Sequence, residues 1–467
     1  MLAVATWLAW LLGPPIFAAR RARVDDDLRR VRTIAIVCAL ASCVTAALAP
    51  AIPQVAALEI AWPWDETAAL GTAALRMTSL SRPLVALVPA LWLVTVAATP
   101  VARLDRAGFR RTAYATSVGA LAFVSDSPAV LLCCWWISSS LFIRGLAGAT
   151  NPRTQRVIAR YHGVAVASLA AGVAVVAWRG EADVVGLGLI MAAVAIRKGI
   201  VPFHAWIPEA LDRGRIGPTV SLCAPQLGSY VAVVLVVPYA SAGMLRVVAI
   251  ASLLTAVYGA ALALYVSDAR RSLGYLFVSQ SALVLAGLDC TSPDALAGAL
   301  ILWVSSALAF TGLARTVLAL EARRGRLSLA EHHGGHDQMP LLAATFLVFG
   351  LAATGFPGTL GFVGQEMLVD GAVRTFPFLG FLTIGSAALT GLAVMRMYLS
   401  LFGGARSRGP ELSLRPREKI IFAAIAAALV VGGLVPGPLL ASRAEAAHRL
   451  LQQRGAITPS TRPPTHG

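Results

Sequence analysis

The chain alternates between long apolar stretches and short polar gaps. A membrane-spanning helix needs about 20 mostly apolar residues, so the pattern predicts an all-α polytopic membrane protein. The first stretch has no basic residues before it, and we interpret it as a retained helix rather than a cleaved signal peptide. About fourteen helices are predicted, at residues 2–19, 33–53, 83–102, 112–125, 128–149, 157–178, 184–202, 219–240, 244–267, 273–290, 294–320, 340–371, 377–402 and 419–441.

Two of the stretches are interrupted. The seventh runs into Pro202 and Pro208, and the twelfth contains TGFPGTLGFVG at residues 354–364. Breaks at membrane depth persist only where protein or water satisfies the freed backbone groups. Because the two breaks lie five helices apart, their placement predicts two inverted repeats with a transport site at the breaks.

The polar gaps alternate in charge. Arginines cluster after every odd-numbered predicted helix, and the intervening gaps contain few. The positive-inside rule therefore predicts cytoplasmic odd-numbered gaps and extracytoplasmic termini. The residues after Ala446 are polar, include proline and are expected to form a tail that is disordered at its end.

Composition supports a membrane location. Only 13% of the 467 residues are charged and the mean hydropathy is +0.73, whereas soluble domains contain about 25% charged residues. The net charge of +16 resides mainly in the gaps, which favours lipid as the partner and excludes nucleic acid. The six cysteines lack CxxC spacing, and no glycine-rich nucleotide loop is present. No metal or cofactor is therefore expected; three loop histidines lack supporting ligands (His332, His333, His336).

Lys198 is the first candidate functional residue. The chain contains only one other lysine, Lys419, although it has 39 basic residues. A desolvated lysine can lose its proton, whereas arginine retains it, so a lysine beside a helix break suits a proton path. The alternative is that Lys198 extends to the membrane interface beside Arg197.

Four further residues are candidates for the proton path. Glu366 and Asp370 lie four residues apart just after the second break, where a carboxylate can relay protons or simply occupy a wet helix start. His204 and Glu209 follow Lys198 and, with Asp212, predict a hydrated path toward the cytoplasm. A structural hydrogen bond is the alternative role for His204.

The segment KGIVPFHAWIPEALDRGRIGPTVS (Lys198–Ser221) resembles the signature of the antiporter-like membrane subunits. These subunits occur in respiratory complex I, membrane hydrogenases, multisubunit Na⁺/H⁺ antiporters and the membrane half of two-component inorganic-carbon accumulation systems. Further blocks are similar to family segments in the same order: DARRSLGYLFVSQ (Asp268–Gln280), GGHDQMP (Gly334–Pro340), GFPGTLGFVGQE (Gly355–Glu366) and MRMYLSLFGG (Met395–Gly404).

The resemblance implies a fold of fourteen helices with two inverted five-helix repeats and broken helices 7 and 12. Its implied domains are N-terminal helices at 1–103, repeats at 104–241 and 242–404, and a last helix with a polar tail at 405–467. Lys198 falls on the family's central lysine. Glu366 falls at or beside the ionisable position of the second broken helix.

The chain departs from the family at three relay positions. The family's glutamate in the fifth helix is replaced by Ile137 or Ser138, and no acid occurs between Ser127 and Gly180. The eighth helix offers Cys223 and Gln226 in place of a lysine or histidine. The eleventh helix likewise offers a pair of serines (Ser305, Ser306).

These departures weaken the case for a complex I pump and favour the membrane half of an inorganic-carbon (CO2 or bicarbonate) accumulation complex. Such a subunit conducts protons, or Na⁺, and couples the flow to a soluble or peripheral partner subunit. One alternative is a proton-translocating subunit of an NADH-quinone oxidoreductase or membrane hydrogenase complex in the inner membrane. The other is a non-conducting anchor for a soluble partner. No active site of the chain's own is predicted under any of the three.

Overall fold

The structure, a computed structural model, describes residues 2–25, 27–61, 73–100, 105–147, 150–290, 292–375, 377–404 and 414–455. These residues are almost entirely helical. The helices are α1 (Leu2–Val24), α2 (Leu28–Ala47), α3 (Pro53–Ala56), α4 (Ser81–Ala97), α5 (Arg106–Ala122), α6 (Pro128–Leu146), α7 (Pro152–Arg179), α8 (Val184–Lys198), α9 (Trp206–Arg213), α10 (Ile216–Cys223), α11 (Leu227–Leu235), α12 (Ala242–Tyr265), α13 (Ala269–Leu288), α14 (Pro293–Arg324), α15 (Pro340–Thr354), α16 (Leu360–Thr375), α17 (Pro377–Phe402), α18 (Pro416–Leu434) and α19 (Gly437–Gln453). One antiparallel hairpin is formed by β1 (Glu59–Ala61) and β2 (Ala73–Arg76).

The prediction of a polytopic all-α protein is confirmed. Within the described residues, eight helices are long and apolar enough to cross a membrane, and two bent helix pairs raise the number to as many as ten. Each of the other predicted stretches coincides with a shorter or less apolar helix or helix pair. The chain is a multi-pass membrane protein.

Helix α14 is the central element of the bundle. It is 32 residues long, and nearly every residue from Ala295 to Glu321 is buried. It packs against α4, α13, α15, α16 and α19. A helix that is apolar on all sides is stable only where neighbours surround it, and the surrounding helices meet this condition for α14.

Four of the arginine-rich gaps lie together on one side of the bundle. Arg326 forms ion pairs with Asp212 and Asp268, which joins the gaps after predicted helices 7, 9 and 11. Arg215 pairs with Asp105 in the gap after the third. The alternation read from the sequence therefore has a physical counterpart, because oppositely charged residues of four odd-numbered gaps meet.

The C-terminal region differs from the prediction. A tail was expected after Ala446, but α19 continues to Gln453 and bends by 72° from α18. Its face is apolar, since Ala447, Leu450 and Leu451 are buried. Arg443 is also fully buried and donates 3.1 Å from Nη1 to the carbonyl of Leu80. The rest of the predicted tail lies outside the described residues.

Candidate functional site: a buried lysine between two helix breaks

The first predicted break forms directly after Lys198. Gly199 closes α8 with φ +71°, a left-handed conformation that favours glycine. The indole Nε1 of Trp206 donates 2.8 Å to the carbonyl of Ile196, and Thr255 Oγ1 accepts from the amide of Val201 at 3.1 Å. The freed backbone groups are thus satisfied by neighbouring side chains, as a break at membrane depth requires.

Lys198 points into the protein. Only 3% of the residue is exposed, so the alternative of a side chain extending to the interface does not describe this structure. Its Nζ donates 2.8 Å to Oε1 of Gln226 and also to the hydroxyl of Ser229. Among the described residues no carboxylate lies within ion-pair distance of Nζ. The ammonium is therefore solvated by neutral groups.

Gln226 marks a third helix break that the sequence analysis missed. The predicted eighth helix is divided into α10 and α11, and Gln226 adopts φ +52° between them. The carbonyl left free at Pro225 accepts 3.0 Å from Nε1 of Trp303. The sequence signal that could have revealed this break is Pro225 followed by the polar Gln226. A non-glycine residue at positive φ is uncommon and often has a functional role.

A polar line continues from Gln226 toward the second break. Its Nε2 donates 3.0 Å to the hydroxyl of Ser306 on α14. The adjacent Ser305 faces Gly361 closely, because a Cβ placed on that glycine would lie 3.2 Å from Ser305 Oγ. Two of the three positions at which the family has ionisable groups, represented here by Gln226 and by Ser305 with Ser306, therefore lie in one row, and the row carries no charge.

The second predicted break lies between α15 and α16. Gly355 ends α15 with φ +75°, and the side chain of Gln365 packs against it. Gln365 is 6% exposed and its buried Oε1 has no hydrogen-bond partner among the described residues. The neighbouring Glu366 lies on the exposed face of α16. The inward position of the second break is thus occupied by a neutral amide.

The other candidates lie after the first break (His204 and Glu209) and on the exposed surface of α16 (Asp370). The ring of His204 is half-buried, 5.1 Å from that of Tyr258. Glu209 forms a 2.8 Å ion pair with Arg213. Asp370 is exposed and pairs with Arg374 at 2.9 Å.

Arg197 occupies the place opposite the missing glutamate of predicted helix 5. The guanidinium donates 2.9 Å to Ser138 Oγ and 3.1 Å to Ser139 Oγ, and it lies over the ring of Trp135 at 4.5 Å. Ser139 Oγ also lies 3.3 Å from Nδ1 of His162. Two hydroxyls and an aromatic face thus solvate the cation where a carboxylate would neutralise it.

Asp289 is a buried carboxylate that the sequence analysis did not single out. It caps the C-terminus of α13 and is 3% exposed, and neither carboxylate oxygen has a hydrogen-bond partner among the described residues. Lys198 and Arg454 are the cations within electrostatic range. A cavity of about 10 Å³ lies next to Lys198 and to Ser281 of α13. This volume is near the lower limit for one water molecule.

A second carboxylate lies between α5 and α6, outside the spanning segments. Burial raises the pKa of Asp126 above its ordinary value, against the effect of the Tyr230 hydroxyl, which donates to it at 3.2 Å. Arg76 lies 3.8 Å from its other oxygen.

About half of the chain matches a known protein family. Residues 164–390 match the family described as NADH:quinone oxidoreductase/Mrp antiporter, transmembrane region. The match includes Lys198, both halves of the first broken helix and the second break.

The curated relatives of this chain carry respiratory names. NADH-quinone oxidoreductase subunit M of Pseudomonas aeruginosa is 28% identical over 270 residues, which is 56% of this chain and 53% of that protein. NADH-quinone oxidoreductase subunit N of a Parafrankia species is 28% identical over 265 residues, which is 54% of this chain and 50% of that protein. The chain thus spans about half the length of the curated relatives that it matches.

Solved structures share the fold over nearly the whole chain. A chain of respiratory complex I from Thermus thermophilus superposes with a TM-score of 0.85 at 18% identity, covering 96% of this chain and 100% of that one. A chain of the Mrp complex from Dietzia sp. superposes with a TM-score of 0.83 at 17% identity, covering 98% and 100%. At such low identity these likenesses establish the fold alone.

Proposed function

We propose that this chain is a proton-conducting membrane subunit that couples ion flow to a partner protein, as the membrane half of an inorganic-carbon accumulation complex. The observation that carries the proposal is Lys198, a buried lysine whose hydrogen-bond partners are the neutral Gln226 and Ser229. Because burial disfavours the charged form of a lysine, its ammonium can be discharged when water reaches the break. The chain's position in the cell inner membrane, with both termini extracytoplasmic, is part of the proposal.

The side chains between the helix breaks are neutral, which favours a subunit with one proton path over a pump that works by repulsion between successive charges. A pump that drives protons sideways through charge repulsion needs successive ionisable groups, and Gln226, Ser306 and Gln365 are not ionisable. A single lysine suffices for one gated path across the membrane. We propose that His204 and Glu209 connect Lys198 to the arginine-rich side and that Asp289 connects it to the opposite side. Glu366 and Asp370 remain candidates for the second half of the path.

The second candidate function is a proton-translocating subunit of an NADH-quinone oxidoreductase or hydrogenase complex. The names of the relatives support it, since subunits M and N of that enzyme each match just over half of the chain. Both functions require a hetero-oligomer, and the chemistry of the partner separates them.

The test is purification of the tagged chain from its native membrane, followed by identification of the proteins that accompany it. The proposal expects a soluble or peripheral protein with a metal site suited to CO2 hydration, together with bicarbonate uptake that an uncoupler abolishes. If the chain instead co-purifies with redox subunits, and bicarbonate uptake does not depend on the proton gradient, the respiratory assignment would be established. Wild-type proton flux no greater than that of Lys198→Ala and of protein-free liposomes would leave a non-conducting anchor.

A further inference from the structure

A large cavity lies on the arginine-rich side of the bundle, apart from the Lys198 site. Its volume is about 780 Å³ and it is bordered by α4, α5, α10 and α14. Lys198, Gln226 and Asp289 do not line it. The cavity is therefore separate from the hydrogen bonds of Lys198, although Asp212 of the expected hydrated path lines it, and its deep end requires its own explanation.

The charges that line this cavity are predominantly positive. Five arginines face it, against only two carboxylates, Asp105 and Asp212. Four of the five have a carboxylate partner: Arg213 with Glu209, Arg215 with Asp105, Arg270 with Glu321, and Arg326 with Asp212 and Asp268. The fifth, Arg315, has none among the described residues.

Arg315 is held at the deep end of the cavity. It is 1% exposed, and its one side-chain hydrogen bond in the described structure runs 3.2 Å from Nη2 to Thr95 Oγ1. Its buried Nε has no hydrogen-bond partner there. Arg315 lies nine residues before the end of α14 at Arg324, which at about 1.5 Å per residue places it roughly 14 Å inside the bundle. An unpaired cation at that depth is costly.

Space is left open in front of the guanidinium. Gly217 of α10 faces it, and a Cβ on that glycine would lie 3.7 and 3.8 Å from Nη2 and Nη1. The planar guanidinium presents several donors in a geometry that matches the oxygens of a carboxylate or phosphate group. We propose that this cavity binds an oxyanion, with Arg315 as the principal ligand and Thr95 holding its guanidinium in place. The phosphate group of an anionic lipid and a free phosphate share this chemistry.

The experiment is a thermal unfolding titration of the purified full chain in neutral detergent. One series adds inorganic phosphate, and the other adds micelles containing phosphatidylglycerol. A saturable rise in the unfolding temperature is expected in at least one series. A response to phosphate identifies a free anion, and a response to the lipid alone identifies a headgroup.

Two variants and a control make the titration specific. Arg315→Gln is expected to weaken the apparent affinity by about tenfold or more, since a charge-assisted hydrogen bond is lost. Gly217→Leu keeps the arginine but fills the space before it, so it should lose the same response even if Arg315→Gln folds poorly. Arg374→Gln removes an exposed arginine outside the cavity and should respond as the wild type does. The proposal is overturned if the wild type shows no saturable shift, if Gly217→Leu retains it, or if Arg374→Gln loses it equally.

Discussion

The ammonium of Lys198 donates to the side-chain carbonyl of Gln226, with Nζ and Oε1 2.8 Å apart, and both residues sit at helix breaks. This hydrogen bond joins a group that can be charged or neutral to one that stays neutral. The proton affinity of the lysine is then governed by burial and by water reaching the break, which is the basis of the predictions on transport.

Lys198→Ala should abolish proton-coupled transport with little loss of protein from the membrane, because the buried cation is costly to hold. Lys198→Arg should also abolish it, since arginine retains its proton. The matched control is Lys419→Ala, which removes the exposed lysine of α18. Dye-monitored proton flux in proteoliposomes measures the effect. An arginine variant that conducts like the wild type would exclude a protonation switch at this position.

Gln226→Glu should slow transport although it changes only one amide to a carboxylate. The new charge would lie beside the ammonium and stabilise its protonated form, so the proton is released less readily. Gln226→Leu should also impair flux, by removing the connection between Lys198 and Ser306. Flux in both variants equal to that of the wild type would show that the row of neutral groups takes no part.

Asp289→Asn should reduce flux more strongly than Glu366→Gln if the outer half of the path runs along α13. The reason is burial: Asp289 is 3% exposed and lies in electrostatic range of Lys198, whereas Glu366 lies on the exposed face of α16. The measurement is the initial rate of proton flux in each variant at equal protein level. The reverse order would move the outer half of the path to the second break.

Glu321→Gln should destabilise the bundle by about 3–5 kcal/mol, because it leaves the buried guanidinium of Arg270 without its partner. That pair is held by a 2.8 Å bond from Nε to Oε1. Asp370→Asn, which removes an exposed pair with Arg374, should cost about 0–1 kcal/mol. Urea or thermal unfolding in detergent provides the comparison, and similar losses in the two variants would refute the structural importance of the Arg270 pair.

Reporter fusions at Arg324 and at Arg454 should report opposite sides of the membrane. Arg454 donates 2.9 Å to the carbonyl of Cys290 at the far end of α13, whereas Arg324 belongs to the arginine-rich side. A cytoplasmic signal at Arg324 would agree with the positive-inside rule. The same signal at both sites would contradict the predicted topology.

The chain's broad architecture was readable from local information. Twenty-residue apolar runs predict helices wherever they occur, and the proline and glycine at Pro202 and Gly355 predict breaks from backbone chemistry alone. The alternation of arginine-rich and arginine-poor gaps predicted that the arginine-rich gaps share one side of the membrane. Lys198 was identifiable because a lysine in an arginine-rich chain is chemically distinctive. None of these inferences requires knowing which helices touch.

The tertiary structure decided the inward and outward sides of each helix and the partners of each buried charge. Gln365 faces the second break and Glu366 does not, yet they are adjacent in the chain, and adjacent helical residues point about 100° apart. Nothing local indicates that Gln226 bonds Lys198, that Asp289 is buried, or that Arg315 has no carboxylate. Periodicity predicts the helices, but the environment of a side chain depends on contacts between segments far apart in sequence, and these form only when the helices pack.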